Sequence, residues 1–229
     1  WRMTIKDTYR LFINTLIDKY GDASIEDFEF TETFNRASLA VLSDQFNNKS
    51  KRGENGTLPY AFEMSQTDLH KWHTLIEEVE VVTDIDGKVG FGAIEQALAD
   101  NDGKLFHINT PLVYVSSIGR FKKARYVRHN DYAQIIDNSF LKPKTTAPIW
   151  RGFDSYVQIN PTGVHECTFT VTRYPKKVKL DLTTPTNNVN PDLGDSAIND
   201  VLVRMEQYYA IKIREVQLNE AAMAQENKQ

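Results

Sequence analysis

Two acidic turns, Asp84-x-Asp86-Gly87 and Asp100-x-Asp102-Gly103, are the segments of this chain most like a cation-binding loop. A calcium loop of that pattern needs an acid at its first position and a bidentate Glu at its twelfth. Here the first position falls on Val82 or Leu98 and the twelfth on Ala93 or Asn109, so both frames fail and ordinary turns account for the residues. His70 and His73 stand at i and i+3 of a short expected helix, a spacing that presents two imidazoles on one side. His107, His129 and His165 are scattered, and no His-Glu-x-x-His pattern accompanies them. Gly90-Phe91-Gly92 lacks the third Gly and the following Lys-Ser or Lys-Thr of a phosphate-cradling loop. There is no Gly-x-Ser-x-Gly elbow, and the single Cys167 has no activating pattern around it. It reads as a small buried hydrophobe in a strand. These readings predict no catalytic residue, no metal site and no cofactor.

The strongest charged feature is the segment 120–130. Arg120, Lys122, Lys123, Arg125 and Arg128 supply five positive charges without an acid, with Phe121 and Tyr126 interleaved. It fits the solvent face of a β-hairpin, an edge that pairs with an acidic neighbour, or a surface facing nucleic acid. A second cluster, Lys176-Lys177-Lys179, follows Pro175. The net charge is −4, and bulk nucleic-acid binders carry a basic excess, so these clusters read as local contacts.

Helical periodicity predicts a helix over 4–20, striped by Ile5, Tyr9, Phe12, Ile13, Leu16, Ile17 and Tyr20. Thr4 with Asp7 is a capping pattern and Gly21 a left-handed stop. A second helix is expected over about 24–47, opened by Ser24 with Asp27, with Phe30, Phe34, Ala37, Val41, Leu42 and Phe46 in its stripe. The short connection makes the pair a hairpin or a sharp elbow. A loop over 47–57 and a short helix over 65–76 follow, the latter burying Leu69, Trp72, Leu75 and Ile76. Strands are expected at 79–82, 89–91, 105–108, 112–118, 124–127, 156–159 and 166–173, the first two as a hairpin around Asp84–Gly87. A helical turn is expected over 93–98.

A Pro/Asn/Thr-rich spacer over 183–194 precedes the closing helix, capped by Asp195 or Ser196 and striped by Ile198, Val201, Leu202, Met205, Tyr208, Tyr209, Ile213 and Val216. The fold class is therefore α+β: an N-terminal helical pair (1–57), an antiparallel β body as sheet or small sandwich (58–182), and a spacer with a long C-terminal helix (183–229), in one structural unit. Because the spacer frees the last helix to leave the body, Ile198, Val201, Leu202, Met205 and Tyr209, together with Arg120, Arg125 and Arg128, are the expected subunit or portal interface.

The 229 residues are 41 % hydrophobic and 25 % charged, with 12 Phe, 10 Tyr and 3 Trp, so a core needs no staples. One cysteine allows no intrachain disulfide and suits a reducing compartment. No run of about 18 apolar residues is present, which predicts no membrane span. The first residues carry no signal-peptide pattern, and Met3-Thr4 reads as a native start.

In layout the chain resembles the head-to-tail connector, or ring, proteins of tailed bacteriophages, especially crAss-like phages of gut bacteria. The resemblance spans most of the chain. It rests on the opening pair of helices over 4–42 with Phe34 and Ala37; on Ser139-Phe140-Leu141-Lys142-Pro143 followed by Pro148; on Val157-Gln158-Ile159-Asn160-Pro161 with Thr172-Arg173-Tyr174-Pro175-Lys176; and on the closing helix through Glu215. It implies a virion structural protein without enzymatic activity, made in the host bacterial cytoplasm. It implies a twelve-copy ring that joins portal protein and other tail ring proteins, extends the DNA channel and passes packaged DNA without sequence-specific binding. The large β portion departs from a simple helical adaptor. The alternatives are a nucleic-acid-binding module using 120–128 and an enzyme whose reaction the residues do not name.

Overall fold

The computed structural model describes residues 3–21, 24–52, 71–98, 104–109, 111–115 and 119–226, with side chains described outside 46–52 and 215–226. The fold is α+β, with two helices at the start and a long one at the end. The chain divides into two compact units, one built from residues 1–44 and 177–229 and the other from 45–176. The two ends thus share a unit, in place of the separate N-terminal and C-terminal parts expected from composition.

The first unit holds α1 (Ile5–Tyr20), the start of α2 (Asp27–Arg52) and α5 (Asp195–Glu226). α1 begins where expected: the Thr4 hydroxyl accepts from the Asp7 N–H at 3.2 Å, and Gly21, at φ +85°, ends the helix with its N–H on the Ile17 carbonyl. Its buried stripe is narrower than the periodicity suggests. Ile5, Phe12 and Leu16 are buried, while Ile17 and Tyr20 are exposed. α2 opens at Asp27, three residues after the expected Ser24 cap, and the Glu26 carbonyl takes the first turn's Phe30 N–H. The Asp27 carboxylate, read as part of a capping box, accepts instead from the Leu182 N–H at 2.7 Å. The connection folds back along α1, so that the Tyr9 hydroxyl donates to the Ile25 carbonyl at 3.0 Å.

α5 runs antiparallel to α2: Lys212 meets Glu29, Arg36 stacks on Tyr208, and Arg204 meets Asp44. Tyr9, Phe12, Phe30, Phe34 and Tyr209 form a chain of ring contacts at 5.1–6.0 Å that locks the three helices together. A docked strap over 178–182 precedes the expected free spacer, and the spacer itself is held to α1 at Asn190. Asp27, Thr31 and Asn35, one helical turn apart on α2, bond the backbone of Leu182, Leu180 and Val178 in turn. Further along, Asp181 ties its own turn by accepting from Thr184 and Asn187, and Asn190 accepts from the Ile5 N–H at 3.0 Å.

The second unit is a two-layer β structure. One sheet has the order β1 (Ile76–Val82), β9 (Glu166–Arg173), β4 (Leu112–Val115), β5 (Arg120–Lys123), with β3 (Leu105–Ile108) also on β9, all antiparallel. The other has the order β2 (Lys88–Gly90), β8 (Tyr156–Asn160), β7 (Ile149–Gly152), β6 (Arg125–Tyr126); its β6–β7 pair is parallel. Alternate residues of both sheets, Val79, Val113, Phe169 and Val171 from the first and Val89, Trp150, Val157 and Ile159 from the second, share one core with Ile94 of α3 (Phe91–Ala97).

The expected 79–91 hairpin does not form. The turn closes, with Asp84 accepting from the Asp86 and Lys88 N–H groups, but β2 leaves β1 to pair with β8 in the other sheet. Gly87 makes this crossing: φ is +74° and an added Cβ would stand 2.3 Å from the Ile159 carbonyl oxygen. Ile76, read as helical, opens β1; Leu69 lies outside the described residues.

Candidate interaction surfaces

The interface expected on the closing helix is absent from the surface. Ile198, Val201, Leu202, Met205 and Tyr209 are buried within the chain's own helical unit. The correction has a physical cause. Periodicity reports that a stripe must be covered, not by what, and here α1 and α2 cover it. Burial pushes the Tyr209 hydroxyl up to about 12.

The basic segment is a hairpin arm only in its first part: β5 returns antiparallel along β4, and the residues after it leave for the other sheet. Arg120 to Lys123 form β5 at the edge of the first sheet, and Arg125–Tyr126 form β6 at the edge of the second. Between them Ala124, fully buried, donates to the Pro111 carbonyl at 3.0 Å while Arg125 donates to the Pro148 carbonyl at 2.9 Å. The segment therefore hands the chain from one layer to the other. Arg120, Lys123 and Arg125 are exposed, while Lys122 and Arg128 are half-buried; Arg128 precedes α4 (His129–Asp137), and it and Lys123 make contacts within the chain.

Sequence alone gives no hint of what faces this edge across the sheet. β1, the opposite edge, reads Ile-Glu-Glu-Val-Glu-Val-Val. Glu78 and Glu80 are exposed on its outer side, and Glu77 receives the buried Arg173 guanidinium at 2.8 Å. Among the described residues β1 pairs only with β9 and β5 only with β4. One sheet thus ends in a carboxylate edge on one side and a cationic edge on the other.

A third surface was also missed. On the outer face of the second sheet the Arg151 guanidinium lies over the Tyr132 ring of α4 at 3.7 Å and the Phe153 ring at 4.7 Å, and donates twice to Gln158 Oε1. Phe153 stacks on Tyr156 at 4.4 Å, and the Tyr132 hydroxyl donates to Asn160 Oδ1 at 3.1 Å. Its signal is one cation among aromatics dispersed over 132–156, brought together by the β7–β8 pairing and by the Tyr132–Asn160 hydrogen bond from α4. The Phe140 phrase lies in the loop after α4, with Phe140 itself 92 % exposed.

The first acidic segment, Asp84–Gly87, behaves as a turn. Asp84 spends its carboxylate on backbone N–H groups, and 99–103 lie outside the described residues, as does His70. No group of three or more metal-ligating side chains occurs among the described residues. Cys167 is buried in the sheet core, and burial pushes its thiol up to about 12, the wrong direction for a nucleophile. Burial likewise lowers His107 to about 4, leaving it neutral at physiological pH. No helix among the described residues is long and apolar enough to cross a membrane. No protein-family model matches the chain, and no curated protein matches it.

Proposed function

We propose that this chain is a virion structural protein, without catalytic activity of its own, that assembles as an oligomeric ring in a phage head-to-tail connector. In that reading it meets the portal protein and other tail ring proteins, and packaged DNA passes through its channel without sequence-specific recognition. The observation that supports it best is the sheet with an acidic edge at β1 and a basic edge at β5. Surfaces that complement each other at different places on one subunit make head-to-tail contacts, and such contacts form rings when the rotation between copies closes. The number of copies, twelve, comes from the family resemblance.

Electron microscopy of the purified chain and of native particles tests this reading. Rings of uniform size, found also at the capsid–tail junction, are the expected result. A monomer that binds free DNA tightly, with affinity falling steeply as salt rises, favours instead a nucleic-acid-binding role for 120–128, because phosphate contacts release counterions.

A further inference from the structure

We infer that copies of this chain join by continuing the first sheet, β1 of one copy pairing antiparallel with β5 of the next, with Glu80 opposite Lys123 and Val82 opposite Phe121. The inference rests on the ring reading and specifies its joint.

Backbone direction comes first. β1 is antiparallel to β9, β9 to β4 and β4 to β5, so the two edge strands run in opposite senses. Copies related by rotation about an axis along the strands keep those senses, and β1 then meets the neighbour's β5 antiparallel.

Hydrogen-bonding phase comes second. Thr83 donates to the His165 carbonyl at 3.0 Å, so alternation along the ladder turns the N–H and C=O groups of Glu78, Glu80 and Val82 away from β9. The Ala124 N–H donates to the Pro111 carbonyl, also at 3.0 Å, which in the same way turns the groups of Phe121 and Lys123 away from β4. The outward residues on both edges are therefore two apart, the spacing a new antiparallel ladder needs.

Side chains come third. The outward residues all lie on the sheet's outer face: Glu80 and Val82 are opposite Thr168 and Glu166, and Lys123 and Phe121 opposite Leu112 and Tyr114. In the antiparallel register that sets Glu80 against Lys123, Val82 falls against Phe121. These two apolar side chains are 60 % and 43 % exposed in the single chain, and the joint covers both. Lys123 already has a contact in its own chain, and its ammonium has three donors to share.

The same charges exclude the wrong joints. Two β1 edges would oppose Glu to Glu, and two β5 edges would oppose cation to cation, both unfavourable as direct cross-strand pairs. Charged edges normally block sheet extension; opposite charges on opposite edges block it for like edges only and leave the head-to-tail pairing, a strand-addition contact with a second copy.

The test is a pair of cysteines, Glu80→Cys with Lys123→Cys, in the full chain, whose own Cys167 is buried. Within one chain the two positions are three strand spacings apart, roughly 14 Å, too far for a disulfide. Mild oxidation is expected to give a ladder of covalent multimers from the double variant and none from either single. Native mass spectrometry of the charge variants completes it. E80K or K123E alone is expected to weaken association about five- to tenfold, and the swapped pair E80K/K123E to restore most of it. Oligomers that form without a ladder and ignore single charge reversals overturn this joint while the ring reading stands. A chain that stays monomeric and gives no ladder overturns both.

Discussion

The helical unit and the β unit treat their surfaces in opposite ways. In the helical unit, the stripe that looks most suited to a partner is covered from within by α1 and α2. In the β unit, the core is as complete, yet both edges of one sheet end in charged strands with exposed Val82 and Phe121 beside them. A long amphipathic helix at a chain terminus is therefore weak grounds for an interface when another helix of the chain has a matching stripe. Edge strands say more, because their backbone groups keep hydrogen-bonding capacity that only water or another strand can satisfy.

The comparison breaks most visibly if the helical unit survives without its last helix. Truncation after Pro185 removes Tyr209, the ring partner of Phe12, with the rest of the covering helix, and the expected outcome is loss of the helical unit's cooperative unfolding, read by far-UV circular dichroism. A point version is Met205→Ala, fully buried in the native chain. It is expected to cost about 2–5 kcal/mol in denaturant melts, through lost burial and the cavity left behind. A truncated chain that keeps its full remaining helicity would return the stripe to the surface and to a partner.

His107 sharpens the contrast on the β side. Burial lowers its imidazole from 6.5 to about 4, so between those values the unfolded chain binds a proton that the folded chain refuses. Its contribution is complete above pH 6.5 and is lost as pH falls towards 4, by up to about 3 kcal/mol. Against a His107→Leu variant, the wild-type chain should lose relative stability over that window; parallel pH curves for the two would contradict the assignment.

A smaller effect is expected at the strap. Thr31→Val removes the acceptor of the buried Leu180 N–H and should cost about 1–3 kcal/mol in thermal or denaturant unfolding. No change would mean that the strap is a passive tether.

Much of the local structure is legible in the sequence. β9 runs Glu166–Arg173 as its alternation predicts, and α1 begins at its Thr4 cap and ends at Gly21. The pairing partners are less legible. Asp84–Gly87 has the composition of a hairpin turn, and nothing local says that β2 will cross to the other layer; that depends on Gly87 meeting the Ile159 carbonyl. β5 is legible only as one arm of a hairpin without bounds, because its four residues, Arg-Phe-Lys-Lys, show no apolar alternation. β7 was hidden by its brevity between Pro148 and Gly152, and α4 because it has no buried residue. The strap was hidden because its anchors are polar pairs from segments far apart in the chain, such as Thr31 with Leu180, 149 residues on. At the candidate interface, the cations were visible and their acidic counterpart was not, since β1 and β5 become opposite edges only once β9 and β4 lie between them.

Amide hydrogen exchange on the full chain, compared between dilute and concentrated solution, tests the central contrast most directly. The account predicts that protection at Glu78, Glu80, Val82, Phe121 and Lys123 rises with concentration, while protection over 198–209 of α5 is the same at both. Protection that rises over 198–209 and leaves the two edge strands unchanged would contradict it.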